Sequence, residues 1–133
     1  MASTSKRARL AFVALLAMPA AVISLTNGIA RAHAIVVAAH PAVDSTVAPG
    51  ELQIRLDFNS RVDRRRSRLS LRQPDGTELV VALEPEGPPG VLAGRAQVRQ
   101  TGRWTLHWQA LSLDGHLTRG EVSFSVRGVV PAP

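Results

Sequence analysis

Three residues of this chain, His33, Asp114 and His116, have the types and spacing for metal chemistry. Asp114 and His116 stand two apart around Gly115, so in an extended chain both side chains leave the same face, and the glycine permits a bend that tunes their convergence. They offer one carboxylate oxygen and one imidazole nitrogen. Alone, the same residues also fit an ordinary Asp-Gly turn followed by a surface histidine. His33 changes the reading, because it follows Ala30-Arg31-Ala32. A histidine freed at an amino terminus presents its α-amine and its ring nitrogen, spaced to close a chelate ring, whereas an internal histidine offers a single nitrogen. One amine, two imidazoles and one carboxylate make an N,N,N,O set that suits a tetragonal plane, and hence Cu(II). Zn(II) accepts the same donors but prefers a tetrahedron. Cu(I) favours sulfur, and residues 33–133 contain none, since the chain has no cysteine and both methionines, Met1 and Met18, come earlier.

The role of His33 depends on what precedes it. Lys6, Arg7 and Arg9 form a positive start, Leu10 to Leu25 an apolar run, and Ala30 and Ala32 a small-x-small cleavage signal, which is the secretory pattern. The run is about 16 residues long with Pro19 inside it. A bilayer core needs about 20. The expectation is therefore a cleaved signal peptide over 1–32, a mature domain over 33–133, and no stable membrane insertion after cleavage. Ala32-His33-Ala34 fits the same cleavage pattern, and a cut after Ala34 would discard the histidine.

Of the formal charge of +6, Lys6, Arg7, Arg9 and Arg31 belong to the leader, so residues 33–133 carry 12 arginines against 10 acids. A nucleic-acid binder wants a broad basic face with aromatics to stack bases. Here the one dense cluster is Arg64-Arg65-Arg66 with Arg68, which reads as a solvated loop able to meet an acidic partner. A mature chain of roughly 100 residues supports one core. Without cysteine, apolar packing alone must hold it.

The dominant period is two. Leu52, Ile54, Leu56 and Phe58 alternate with polar residues; Trp104, Leu106, Trp108 and Ala110 share a face, as do Val122, Phe124 and Val126. Ala34 to Ala39, Leu69 with Leu71, Leu79 to Leu83 and Val91 to Val98 supply further short runs. Pro49-Gly50, Pro74-Asp75-Gly76, the Pro/Gly stretch from Glu86 to Gly90, Thr101-Gly102 and Asp114-Gly115 separate them with turn chemistry. No segment of 33–133 carries a helical stripe. The pattern predicts an all-β, seven-stranded Greek-key β-sandwich.

In order, the chain presents His33 after an A-x-A cut, His40-Pro41-Ala42, the strand Leu52 to Phe58, Trp104-Thr105-Leu106-His107-Trp108, and Leu111-Ser112-Leu113-Asp114-Gly115-His116 leading into Gly120-Glu121-Val122-Ser123-Phe124-Ser125-Val126. Along nearly all of the mature length this resembles the CopC family of small periplasmic copper-resistance proteins. The resemblance implies a periplasmic, immunoglobulin-like or cupredoxin-like sandwich that binds one Cu(II) per domain through the residues matching His33, Asp114 and His116. It implies resistance, storage or delivery, with a CopD-like inner-membrane transporter as partner and no enzymatic turnover. Three departures stand out. Phe58-Asn59-Ser60 replaces the family's Phe-Ser-Glu, so a carboxylate near copper is missing; Leu117 replaces a proline after the second histidine; and the methionine-rich Cu(I) loop of some members is absent.

Two other readings belong to different classes. A terminal histidine with a second histidine is also the copper site of lytic polysaccharide monooxygenases, but a carboxylate in the fourth equatorial place occupies the position oxygen would take. The other is a metal-free adhesive or scaffolding sandwich. His40, in the first loop, and His107, on the face opposite the tryptophans, read as non-ligands; Trp104 and Trp108 read as core anchors, and Asp57 and Asp63 as surface carboxylates. Intact mass of the exported protein with and without Cu(II) reads the cut and the metal together. The expected mass is that of a chain beginning at His33 plus one copper; a chain beginning at Ile35 would remove the terminal chelate.

Overall fold

The computed structural model describes residues 34–128 of the chain. They form two sheets facing each other around one core. β1 (Val36–His40), β3 (Gly50–Phe58) and β6 (Val91–Val98) make a three-stranded sheet in the order β1-β3-β6. The second sheet has the order β2-β8-β7-β4-β5, from β2 (Thr46–Val47), β4 (Arg68–Arg72), β5 (Glu78–Val81), β7 (Gly102–Leu111) and β8 (Leu117–Val126). The chain crosses between sheets after β1, β2, β3, β5 and β6, giving the expected Greek-key sandwich.

Alternation explains the core. Leu52, Ile54, Leu56 and Phe58 of β3 face Leu69 and Leu71 of β4, Trp104, Leu106 and Ala110 of β7, and Val122, Phe124 and Val126 of β8, all buried. Trp104 and Phe124 stack with centroids 6.4 Å apart. Each fully buried large apolar side chain contributes about 1.5–3 kcal/mol relative to exposure, which is how a domain of this size holds together without disulfides.

Several details differ from the sequence reading. Eight strands are present among the described residues, the additional one being β2, whose two residues run parallel to the end of β8. So short a strand carries no periodicity. His40 is the last residue of β1 and not part of a loop, and its peptide bond to Pro41 is cis. The arginine run Arg64–Arg66 is a 3-10 turn capped by Asp63, whose carboxylate accepts from Arg66 N at 3.2 Å. Arg64 is fastened rather than solvated: its guanidinium donates to the carbonyls of Pro85, Pro88 and Val91 at 3.3, 3.0 and 3.2 Å, latching the Pro/Gly loop.

The difference that matters most is where β8 starts. The apolar alternation begins at Val122, yet the strand begins at Leu117, directly after His116, and pairs with β7 from Leu111↔Leu117 onward. Gly120 hides the pattern. Its partner Trp108 lays the indole over it and meets Phe58 edge-on at 5.3 Å, so the space a side chain would occupy is filled from across the ladder. A Cβ at Gly120 would stand 2.7 Å from the indole Cε2. Gly120→Ala is expected to displace Trp108 and cost about 1–3 kcal/mol, as overpacking does; urea unfolding followed by tryptophan fluorescence measures it.

Candidate metal centre

Asp114 and His116 sit in the tight connection between β7 and β8, at one end of the sandwich. The connection closes on itself: Gly115 N donates to Ser112 O and Ser112 N to His116 O, each at 2.9 Å. Gly115 has φ +89°, a region side chains avoid, so the motif needs its glycine here. Ser112 is buried and bridges to Val62, while Asp63 N donates to Leu111 O at 2.7 Å, fixing the loop to the segment after β3.

Within this loop the Asp114 carboxylate is fully engaged. Its Oδ1 accepts from the Ser112 hydroxyl and from His116 N at 3.2 Å; its Oδ2 lies 2.9 Å from His116 Nδ1. The Ser112 hydroxyl, then the His116 amide, then the His116 ring hold the carboxyl down at about 2, against an ordinary 3.8. Both side chains keep about two-fifths of their surface exposed, so the pair is reachable from solvent.

The donor geometry fits a metal. Two atoms each about 2.0 Å from a metal and at right angles are about 2.8 Å apart, close to the 2.9 Å between Asp114 Oδ2 and His116 Nδ1. A metal held by both would take the place of this contact. Among the described residues no three His, Asp or Glu side chains gather into a cluster, so these two alone would be too few to hold a metal ion.

The third predicted ligand, His33, lies outside the described residues, but its neighbour does not. Ala34 is buried, and its carbonyl accepts from the Thr118 hydroxyl at 3.1 Å, two residues along β8 from His116. Ile35 N donates to Asn59 Oδ1 at 2.8 Å, and Asn59 N returns to Ile35 O at 2.9 Å. Sequence reasoning did not pick out Ser112, Asn59 or Thr118 as functional. Ser112, two residues before an aspartate, carries the local signal of a side-chain-closed turn. Asn59 and Thr118 find partners 24 and 84 residues away, which no local pattern encodes.

The residues read as non-ligands stand apart. His40 lies opposite Arg55 in the three-stranded sheet, and Arg55 pairs with Asp57 at 2.7 Å. His107 is the cross-strand partner of Glu121, its Nδ1 3.8 Å from the carboxylate. At the position of the family's glutamate, Ser60 Oγ is buried without a hydrogen-bond partner among the described residues.

Fold and loop together define a small Greek-key sandwich that presents a carboxylate–imidazole pair in the connection between β7 and β8. The chain belongs to the CopC family, whose CopC domain matches residues 36–127. It is 27% identical over 130 residues to Protein YobA of Escherichia coli K12, covering 96% of this chain and all of that one. It is 29% identical over 120 residues to copper resistance protein C of Xanthomonas campestris pv. juglandis, covering 78% and 87% of the two chains. CopC from Methylosinus trichosporium OB3b superposes with a TM-score of 0.66 at 24% identity over 76% of this chain and all of that one. The methionine-rich copper resistance protein PcoC of E. coli does so at 0.56 and 26% identity, over 72% of this chain and all of that one.

The pKa of Asp114 gives a direct test. A carboxyl depressed in the folded state adds stability that is complete above about 4 and is lost as pH falls toward 2. Ser112→Ala is expected to move the Asp114 midpoint up toward 3.8 and the loss with it, read by an NMR titration of the carboxyl carbon.

Proposed function

We propose that this chain is exported, trimmed after Ala32, and binds one Cu(II) through the α-amine and ring of His33, Asp114 and His116. It serves in the periplasm in copper resistance, storage or delivery to a CopD-like membrane transporter. It is a carrier and not an enzyme. The observation that supports this reading best is the fastening of Ala34 to Thr118. It ties Ala34 to the strand that begins directly after His116, which supports a terminal residue that joins the Asp114–His116 pair. Membership of the CopC family supports copper as the cargo, and so does the relative named copper resistance protein C.

The chemistry of loading follows from the donors. Cu(II) competes with protons for the amine and the imidazoles, whose ordinary pKa values run from about 6.5 to 8. Asp114, held at about 2, is a carboxylate throughout that range and adds no proton competition. Loading therefore releases protons from nitrogen only, and affinity falls as pH drops below about 7. Hard donors and the absence of sulfur disfavour Cu(I), so reduction would loosen the cargo.

His33→Ala removes a donor and the chelate ring. It is expected to cost more than about 100-fold in Cu(II) affinity, above the range typical of an outer-shell partner, and more than Asp114→Asn. Competition titration of the mature protein measures both. Equal affinity in His33→Ala and the parent would overturn the reading, and sustained ascorbate-driven peroxide production by the copper-loaded protein would overturn the carrier role.

A further inference from the structure

The start of β1 is held by side chains as well as by its ladder. The β1–β3 pairing runs regularly from His40↔Arg55 back to Ala38↔Asp57, shifts register between Ala38 and Val36, and resumes at Val36↔Phe58, with Ile35 N meeting a side-chain oxygen in place of a main-chain one. At that point Asn59, the first residue beyond β3, closes a two-bond ring with Ile35: its side-chain oxygen accepts from Ile35 N and its own N–H reaches Ile35 O. Asn59 is itself braced on both sides, by Phe58 N to Gly90 O at 2.8 Å and Val62 N to Pro89 O at 3.0 Å. From the opposite sheet Thr118 donates to Ala34 O at 3.1 Å, with Ala110 O at 3.4 Å as its alternative acceptor.

We infer that Asn59 and Thr118 form a two-sided clamp that aims the amino terminus at the Asp114–His116 pair, making both of them positioning residues for the terminal copper ligand although neither touches the metal. The inference rests on the proposed His33 ligation and adds how that ligation is achieved. A chelating terminus on a free segment must be ordered at each binding event, and that lost conformational freedom weakens affinity. With Ala34 and Ile35 already held from two elements, only His33 remains to be fixed. The clamp also accounts for Asn59 in this chain: an amide side chain supplies the acceptor for Ile35 N that the shifted ladder does not.

The test pairs loss with rescue in the mature protein. Thr118→Val keeps the shape and removes the donor, Thr118→Ser restores it, and Asn59→Ala removes the acceptor. Thr118→Val and Asn59→Ala are each expected to weaken Cu(II) binding by about 10-fold, at the low end of the effect of groups that orient metal ligands, and Thr118→Ser to recover it. Both weakened variants should alter the copper EPR spectrum, and in the metal-free protein they should speed hydrogen exchange at the Ile35 amide. In a His33→Ala background neither should lower affinity further. Parent affinity and an unchanged EPR spectrum in folded Thr118→Val and Asn59→Ala would overturn the clamp while leaving the ligand set intact. Parent affinity in His33→Ala overturns the ligand set itself, and the clamp's role with it. If Asn59→Ala fails to fold, the Thr118→Val and Thr118→Ser pair decides alone.

Discussion

One hydrogen bond ties the first described residue to the last strand, from the Thr118 hydroxyl of β8 to the Ala34 carbonyl, across 84 residues. Among the described residues β1 lies at the edge of the three-stranded sheet, and the first half of β8 has no strand on its outer side, because β2 pairs only with its last two residues. The sandwich is therefore open at this corner, and that hydroxyl bridges it. Everything proposed for the terminus requires that the corner be held, because the half-site at Asp114 and His116 travels with β8 while the residue that would complete it travels with β1.

The rest of the domain keeps the corner in place. Trp108 fills the space left by Gly120 and meets Phe58 edge-on, so the start of β8 and the end of β3 share one aromatic contact. The Pro/Gly loop, latched by Arg64, supplies the carbonyls of Pro89 and Gly90 to the residues around Asn59. Ser112 fixes the acidic side of the pair from a buried position. Rigid supports of this kind are what the proposed terminal ligand requires, since a chain end is ordinarily the least ordered part of a protein.

The sheets were legible in the sequence wherever one face is buried, because the alternation of Leu52 to Phe58 or Trp104 to Ala110 is the direct print of that burial. Legibility failed where the inward position is empty or the strand is too short. Gly120 concealed five residues of β8, and Thr46–Val47 shows no period at all. Asp114 and His116 were legible as a pair because both lie in one loop with their turn glycine. Their supports were not: hydroxyl and amide side chains such as Thr118 and Asn59 are common on surfaces, and only the fold brings their partners within reach. In the arginine run Arg65, Arg66 and Arg68 are exposed as expected, and only Arg64 departs, for the same reason: its acceptors are main-chain carbonyls more than twenty residues away.

The peptide bond between Ala34 and Ile35 has both of its polar groups in use, its oxygen by Thr118 and its N–H by Asn59, and Ala34 is almost wholly covered. A peptidase must draw a bond into its own cleft as free, extended chain. Once the sandwich has closed, this bond is no longer offered, so folding protects it from trimming. Processing that shortens the chain to Ile35 must therefore outrun folding, and in a chain that folds first this bond stays whole.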